Sequence, residues 1–190
     1  GAYTTPPTEG LPTRVDRGAG PGQGVWDEWV TTTSTYDAWG NVASTSDPNG
    51  QTTHVVYEPD YHLYPVQTCD ALGHCVVTEY YGVGGVAADH GLVGQVKRGV
   101  GPNGEAIEYG YDSFGRLTDV VRPGDSASYP STEYEYHDGD PLWIVARRRE
   151  TVGGGTLDSY THYDGLGRVI QTRSEAGGGQ YVVESSTYDA

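Results

Sequence analysis

One seven-residue string is rewritten along the chain, and it limits the fold more than any other feature. Tyr36-Asp37-Ala38-Trp39-Gly40-Asn41-Val42 returns as Cys69-Asp70-Ala71-Leu72-Gly73-His74-Cys75. It returns again as Tyr111-Asp112-Ser113-Phe114-Gly115-Arg116-Leu117 and as Tyr163-Asp164-Gly165-Leu166-Gly167-Arg168-Val169, and a last copy opens at Tyr188-Asp189-Ala190. The pattern is Tyr or Cys, Asp, small, large apolar, Gly, polar, aliphatic. Self-similarity at this level points to an array of one small unit. The steps between successive motif aspartates are 33, 42, 52 and 25 residues, so the unit is regular while its connections are not.

Asp-x-x-Gly is what a type I turn requires. Asp at the first position accepts local main-chain N–H bonds, and Gly at the fourth tolerates positive φ. Asp37 and Gly40, Asp70 and Gly73, Asp112 and Gly115, and Asp164 and Gly167 are therefore read as turn residues at the tips of β-hairpins. The third turn position is Trp39, Leu72, Phe114 or Leu166, a large apolar group where a side chain ordinarily meets water. Four such residues predict tip anchors, each packed against a neighbouring strip of hairpins. The tyrosines Tyr36, Tyr111, Tyr163 and Tyr188 lead into the turns.

The rest of the chain agrees with strands and turns. Gly (29), Pro (11) and Tyr (16) are abundant, and no long stretch has helical spacing of apolar positions. Residues 1–24 are rich in Pro, Gly and Thr and read as an extended arm or linker, with the hairpin array over 25–190. Asp47-Pro48-Asn49-Gly50 and Gly101-Pro102-Asn103-Gly104 read as further tight turns, Gly82 to Gly94 as an inter-repeat loop, and Thr132 to Tyr136 as an alternating strand. A formal charge of −15, from 26 acids against 11 bases, argues against nucleic acid and anionic membrane as partners. No apolar run approaches the roughly 20 residues of a membrane span. With no Met, and a last copy that stops inside the motif, the chain reads as an excised piece.

Aligning the copies sets Cys69 where the others have tyrosine and Cys75 where they have an aliphatic residue. These positions should face each other across one hairpin. One reading is a Cys69–Cys75 disulfide, which implies an oxidising compartment. A second is a pair of buried thiols replacing a Tyr/aliphatic pair. A zinc site of Cys69, His74 and Cys75 lacks a fourth ligand.

The strings Tyr36 to Asn41, Tyr111 to Leu117 and Tyr163 to Val169 resemble the YD repeats of the Rhs family, which includes bacterial Rhs polymorphic toxins, the B and C components of insecticidal toxin complexes, wall-associated proteins and teneurins. The resemblance covers residues 36–190. It implies an all-β fold: an array of YD-repeat β-hairpins forming a curved or spiralling β-sheet, a fragment of a hollow Rhs shell. It further implies a secreted or surface protein whose partners are neighbouring repeats and an enclosed toxin domain. The chain lacks the Arg-Tyr-Tyr-Asp-Pro core motif and the paired aspartates of the self-cleaving plug, so autoproteolysis carries over to no residue. Open sheet edges predict self-association.

Signals for catalysis or cofactors are weak. Gly99 to Gly104 matches G-x-G-x-x-G and Gly82 to Ala87 the alanine variant, but neither opens a helix, so no cofactor is expected. Glu133 and Glu135, two apart on a strand, share a face. They could serve glycoside hydrolysis or hold Ca²⁺, against the simpler reading of a solvated acidic face. Arg147-Arg148-Arg149 could be a protease-sensitive site or a dock for an acidic strip, but reads first as an exposed strand end. The six histidines show no metal-binding spacing. The leading expectation is a non-enzymatic structural segment. The alternative is an adhesion or glycan-binding module using exposed aromatics such as Trp26, Trp29 and Tyr61.

Overall fold

The computed structural model describes residues 10–19, 28–151 and 153–189. Trp26 lies outside them, as do 1–9 and 20–24 of the expected arm. The described residues form fourteen β-strands and no helix. In chain order these are β1 (Arg14–Ala19), β2 (Glu28–Tyr36), β3 (Val42–Ser46), β4 (Thr52–Tyr57), β5 (Pro65–Cys69), β6 (Cys75–Tyr80) and β7 (Val96–Val100). They continue with β8 (Ala106–Tyr111), β9 (Leu117–Val121), β10 (Thr132–His137), β11 (Leu142–Arg149), β12 (Thr156–Tyr163), β13 (Val169–Gly177) and β14 (Gln180–Ser185).

The chain divides into two units, residues 1–79 with 100–103 and residues 80–99 with 104–190. In the first, β1 to β6 pair antiparallel in chain order. Residues 14–19, inside the expected arm, are the strand that pairs with β2. In the second unit, β8 to β14 pair antiparallel in the same consecutive way. Most described links between paired strands are short and carry a glycine at left-handed φ, as at Gly40 (+88°) and Gly167 (+77°), which lets a strand fold straight back on its predecessor.

Within each unit, strands touch their neighbours in the sheet, and among the described residues no second layer packs on either face. Most strand residues are therefore half-buried on both sides. The fully buried apolar side chains of the described residues are Tyr81, Val83 and Val145. Val145 sits in β11 between Glu135 of β10 and Tyr160 of β12. Tyr81 is held by three contacts: its main chain pairs with Gln95, its hydroxyl donates to the Tyr109 carbonyl at 2.9 Å, and its ring meets Tyr111 edge-on. The glycine-rich loop after β6 is thus closely packed. A Cβ on Gly91 would collide with the Tyr81 ring.

Candidate functional site

The four complete copies of the motif build one device. At tip 1 the Asp37 N–H donates to the Asn41 carbonyl (2.9 Å) and the Gly40 N–H to the Asp37 carbonyl (3.2 Å). One carboxylate oxygen, Oδ1, accepts from the N–H groups of Trp39 (2.9 Å) and Asn41 (2.8 Å), and Oδ2 accepts from Asn41 Nδ2 at 3.0 Å. The same bonds recur at Asp70, Asp112 and Asp164, and Oδ2 then meets His74 Nδ1, Arg116 Nε or Arg168 Nε. Gly40, Gly73, Gly115 and Gly167 all take positive φ. The pairs Tyr36–Val42, Cys69–Cys75, Tyr111–Leu117 and Tyr163–Val169 face one another across the strands. The polar residue after the glycine closes each turn through Oδ2, a role that sequence reading missed although its place in the motif was visible. Asp47 builds the same turn, with Oδ1 accepting from Asn49 and Gln51 N–H.

These bonds stabilise the ionised carboxylates. At Asp37 burial works to raise the pKa, but hydrogen bonds from the Asn41 side chain and main chain, then from Trp39 and Gly40, hold it below the ordinary carboxylate value. Asp112 behaves alike, with burial outweighed by bonds from Arg116 and Phe114. Asp70 and Asp164 are lowered first by the main-chain N–H of His74 and of Arg168. A carboxylate so engaged is a structural acceptor, ill-suited to proton transfer.

Trp39, Leu72, Phe114 and Leu166, expected to anchor each tip against a neighbouring strip, are 63%, 80%, 76% and 79% exposed within this chain. The third turn position projects off the end of its hairpin, beyond the sheet, so burial there needs something past the sheet edge. Trp39 stacks on His62 of another segment with centroids 3.4 Å apart. Arg147-Arg148-Arg149, read as an exposed strand end, is instead engaged at two of its three residues. Arg147 pairs with Glu135 (2.5 Å) and with Asp158 (3.6 Å), and Arg149 donates to the carbonyls of Pro130 and Gly154.

Nor are the four copies placed alike. From tip 1 to tip 2 the chain runs through three strands, β3 to β5, so these tips lie at opposite ends of the first unit's sheet. From tip 3 to tip 4 the chain runs through four strands, β9 to β12, so these tips share one end of the second unit's sheet. There Arg116 lies over the Tyr136 ring (4.2 Å) and Arg168 over Tyr188 (4.4 Å), while the two tyrosine hydroxyls donate to the Leu117 and Val169 carbonyls. Tip 2 carries a Cys69–Cys75 bridge with Sγ–Sγ 2.07 Å.

Elsewhere, Glu133 and Glu135 face a groove of about 580 Å³ with Asp119, Lys97, His90 and Arg147. The hydrogen bond from Arg147 lowers the Glu135 pKa, against burial that would raise it. A glycosidase acid needs the reverse shift. Among the described residues no group of three or more His, Cys, Asp or Glu side chains is arranged to hold a metal.

Residues 93–127 match the family model of the RHS repeat, a stretch containing β7, β8, tip 3 and β9. The chain carries the RHS repeat. Comparison with curated proteins by sequence finds no match. Among solved structures, the chain is similar to part of the crystal structure of TcdB2-TccC3-Cdc42, with TM-score 0.54 and 20% identity over 90% of this chain and 9% of that one. The Photorhabdus luminescens Tc holotoxin pore gives 0.46 at 20% identity, over 78% and 7% respectively. The first likeness is one of fold, an all-β hairpin array. The chain spans under a tenth of the length of either structure it resembles.

Proposed function

We propose that the chain is a non-catalytic wall segment of an Rhs/YD-repeat shell, in a secreted or surface protein that encloses or presents a toxin or effector domain. The observation that carries this reading is the tip device. One carboxylate, one left-handed glycine and one closing polar side chain are repeated four times to fix a bend, and each repeat ends in an exposed apolar residue. Exposed Leu72, Phe114 and Leu166 are unfavourable in water alone, and a neighbouring strip of the parent shell would cover them. β1, within the expected arm over 1–24, would then belong to the wall together with the array over 25–190.

The test is protease protection in the full-length parent. Removing residues 36–189 opens the wall, and the enclosed domain then becomes cleavable while the intact parent resists. A parent that protects its effector equally well without these residues overturns the proposal. Loss of binding to an immobilised glycan on mutating Trp29 or Tyr61, with protection unchanged, would instead favour the adhesion module.

A further inference from the structure

The loop that receives Trp39 is built with unusual rigour. Glu58, 1% exposed, accepts the main-chain N–H groups of Asp60 (2.7 Å) and Tyr61 (2.8 Å) on Oε2, and those of Leu63 (3.0 Å) and Tyr64 (3.5 Å) on Oε1. This grip forces His62 to φ +56°, the one left-handed residue other than glycine among those described. His62 in turn covers one face of Trp39, and its carbonyl accepts from Asn41 Nδ2 at 2.6 Å. The indole, 63% exposed, is therefore held with its opposite face toward solvent, and the loop that holds it also exposes Tyr61 and Leu63. Strained backbone of this kind persists where the surroundings over-determine it, and such places gather at binding surfaces.

Comparison with the other tips shows what tip 1 lacks. At tips 3 and 4 the motif carboxylate holds an arginine, and that guanidinium lies over a tyrosine ring. At tip 1 the arginine position is Asn41, and neither Asp37 nor Glu58 has an ion-pair partner among the described residues. The aromatic face and the negative charge are both present without a cation. Trp is the best aromatic receptor for one, and the chain's charge of −15 favours a basic partner.

We propose that tip 1 with the 58–64 loop docks a basic polypeptide segment, one arginine or lysine of which lies on the free face of Trp39. This goes beyond the wall reading and does not depend on it. The test follows the Trp39 ring by NMR at low salt while the full chain is titrated with a blocked Gly-Arg-Gly peptide and, separately, with its citrulline analogue. Saturable Trp39 shifts with the arginine peptide alone are expected. Trp39→Leu should weaken binding about three- to fivefold, Trp39→Phe less, and Phe114→Leu not at all. Equal shifts with citrulline overturn the proposal. So does an unchanged affinity in Trp39→Leu, which would mean diffuse attraction to an acidic surface, and so does a Trp39 response to neutral oligosaccharides but not to arginine. None of these outcomes bears on protease protection in the parent.

Discussion

Gly115 and Gly167 occupy the same place in the same turn at nearly the same φ, +79° and +77°, but their surroundings differ. A Cβ on Gly167 meets nothing within 4 Å. On Gly115 it would stand 2.8 Å from Leu92 Cδ1 and 3.2 Å from Gln95 Nε2, the group that donates to the Gly115 carbonyl. Alanine at either site bears the left-handed penalty of about 1–2 kcal/mol. At Gly115 alone it must also displace Leu92, at about 1 kcal/mol for mild overpacking, and weaken the Gln95 bond, about 1 kcal/mol more. Gly115→Ala should therefore exceed Gly167→Ala by about 2 kcal/mol. Native-state hydrogen exchange reads this locally, at Arg116 and Leu117 in one variant and at Arg168 and Val169 in the other. The expected difference is about thirtyfold in exchange rate. Equal acceleration at the two tips would refute the docking of tip 3 on the 90–95 loop.

Three further outcomes follow from the same geometry. The tip carboxylates of Asp37, Asp70, Asp112 and Asp164 have lowered pKa values, so their contribution is present above the unfolded aspartate value near 3.9 and is lost as pH falls through the folded ones. Amides of residues 39, 41, 72, 74, 114, 116, 166 and 168 should lose protection together in acid, and protection that persists after these carboxyls protonate would contradict this. Glu58→Gln leaves too few acceptors for four N–H donors, so exchange should quicken at residues 60, 61, 63 and 64 and the Trp39–His62 ring shifts should collapse. An unaltered Trp39 spectrum would refute the coupling. Reducing the Cys69–Cys75 bridge, which spans six positions in sequence, should cost the first unit about 2 kcal/mol. Free thiols in the untreated protein would contradict the bridge.

The turns were legible because Asp and Gly carry their chemistry locally. Asp37, Asp70, Asp112 and Asp164 bond within four residues of themselves, which a linear string displays. The facing of Cys69 and Cys75 was legible for a related reason, since hairpin register propagates from the turn. What lay hidden depends on strand number and long reach. Whether two tips share a sheet end turns on the parity of intervening strands, which unequal steps of 33 and 52 residues do not disclose. Glu58 looked like any acid before a proline, and only the fold of 58–64 shows it buried under four N–H donors. Exposure of Phe114 and Leu166 was missed because an apolar residue at a turn tip implies a cover without saying whether this chain supplies it.

The most direct measurement of the wall account is electron cryomicroscopy of the full-length parent. The account predicts β1 to β6 and β8 to β14 each paired in the present register within the parent's repeat wall, with Leu72, Phe114 and Leu166 buried against adjacent strips. A segment that stands outside the wall as a separate domain, with those three tips still open to solvent, would contradict it.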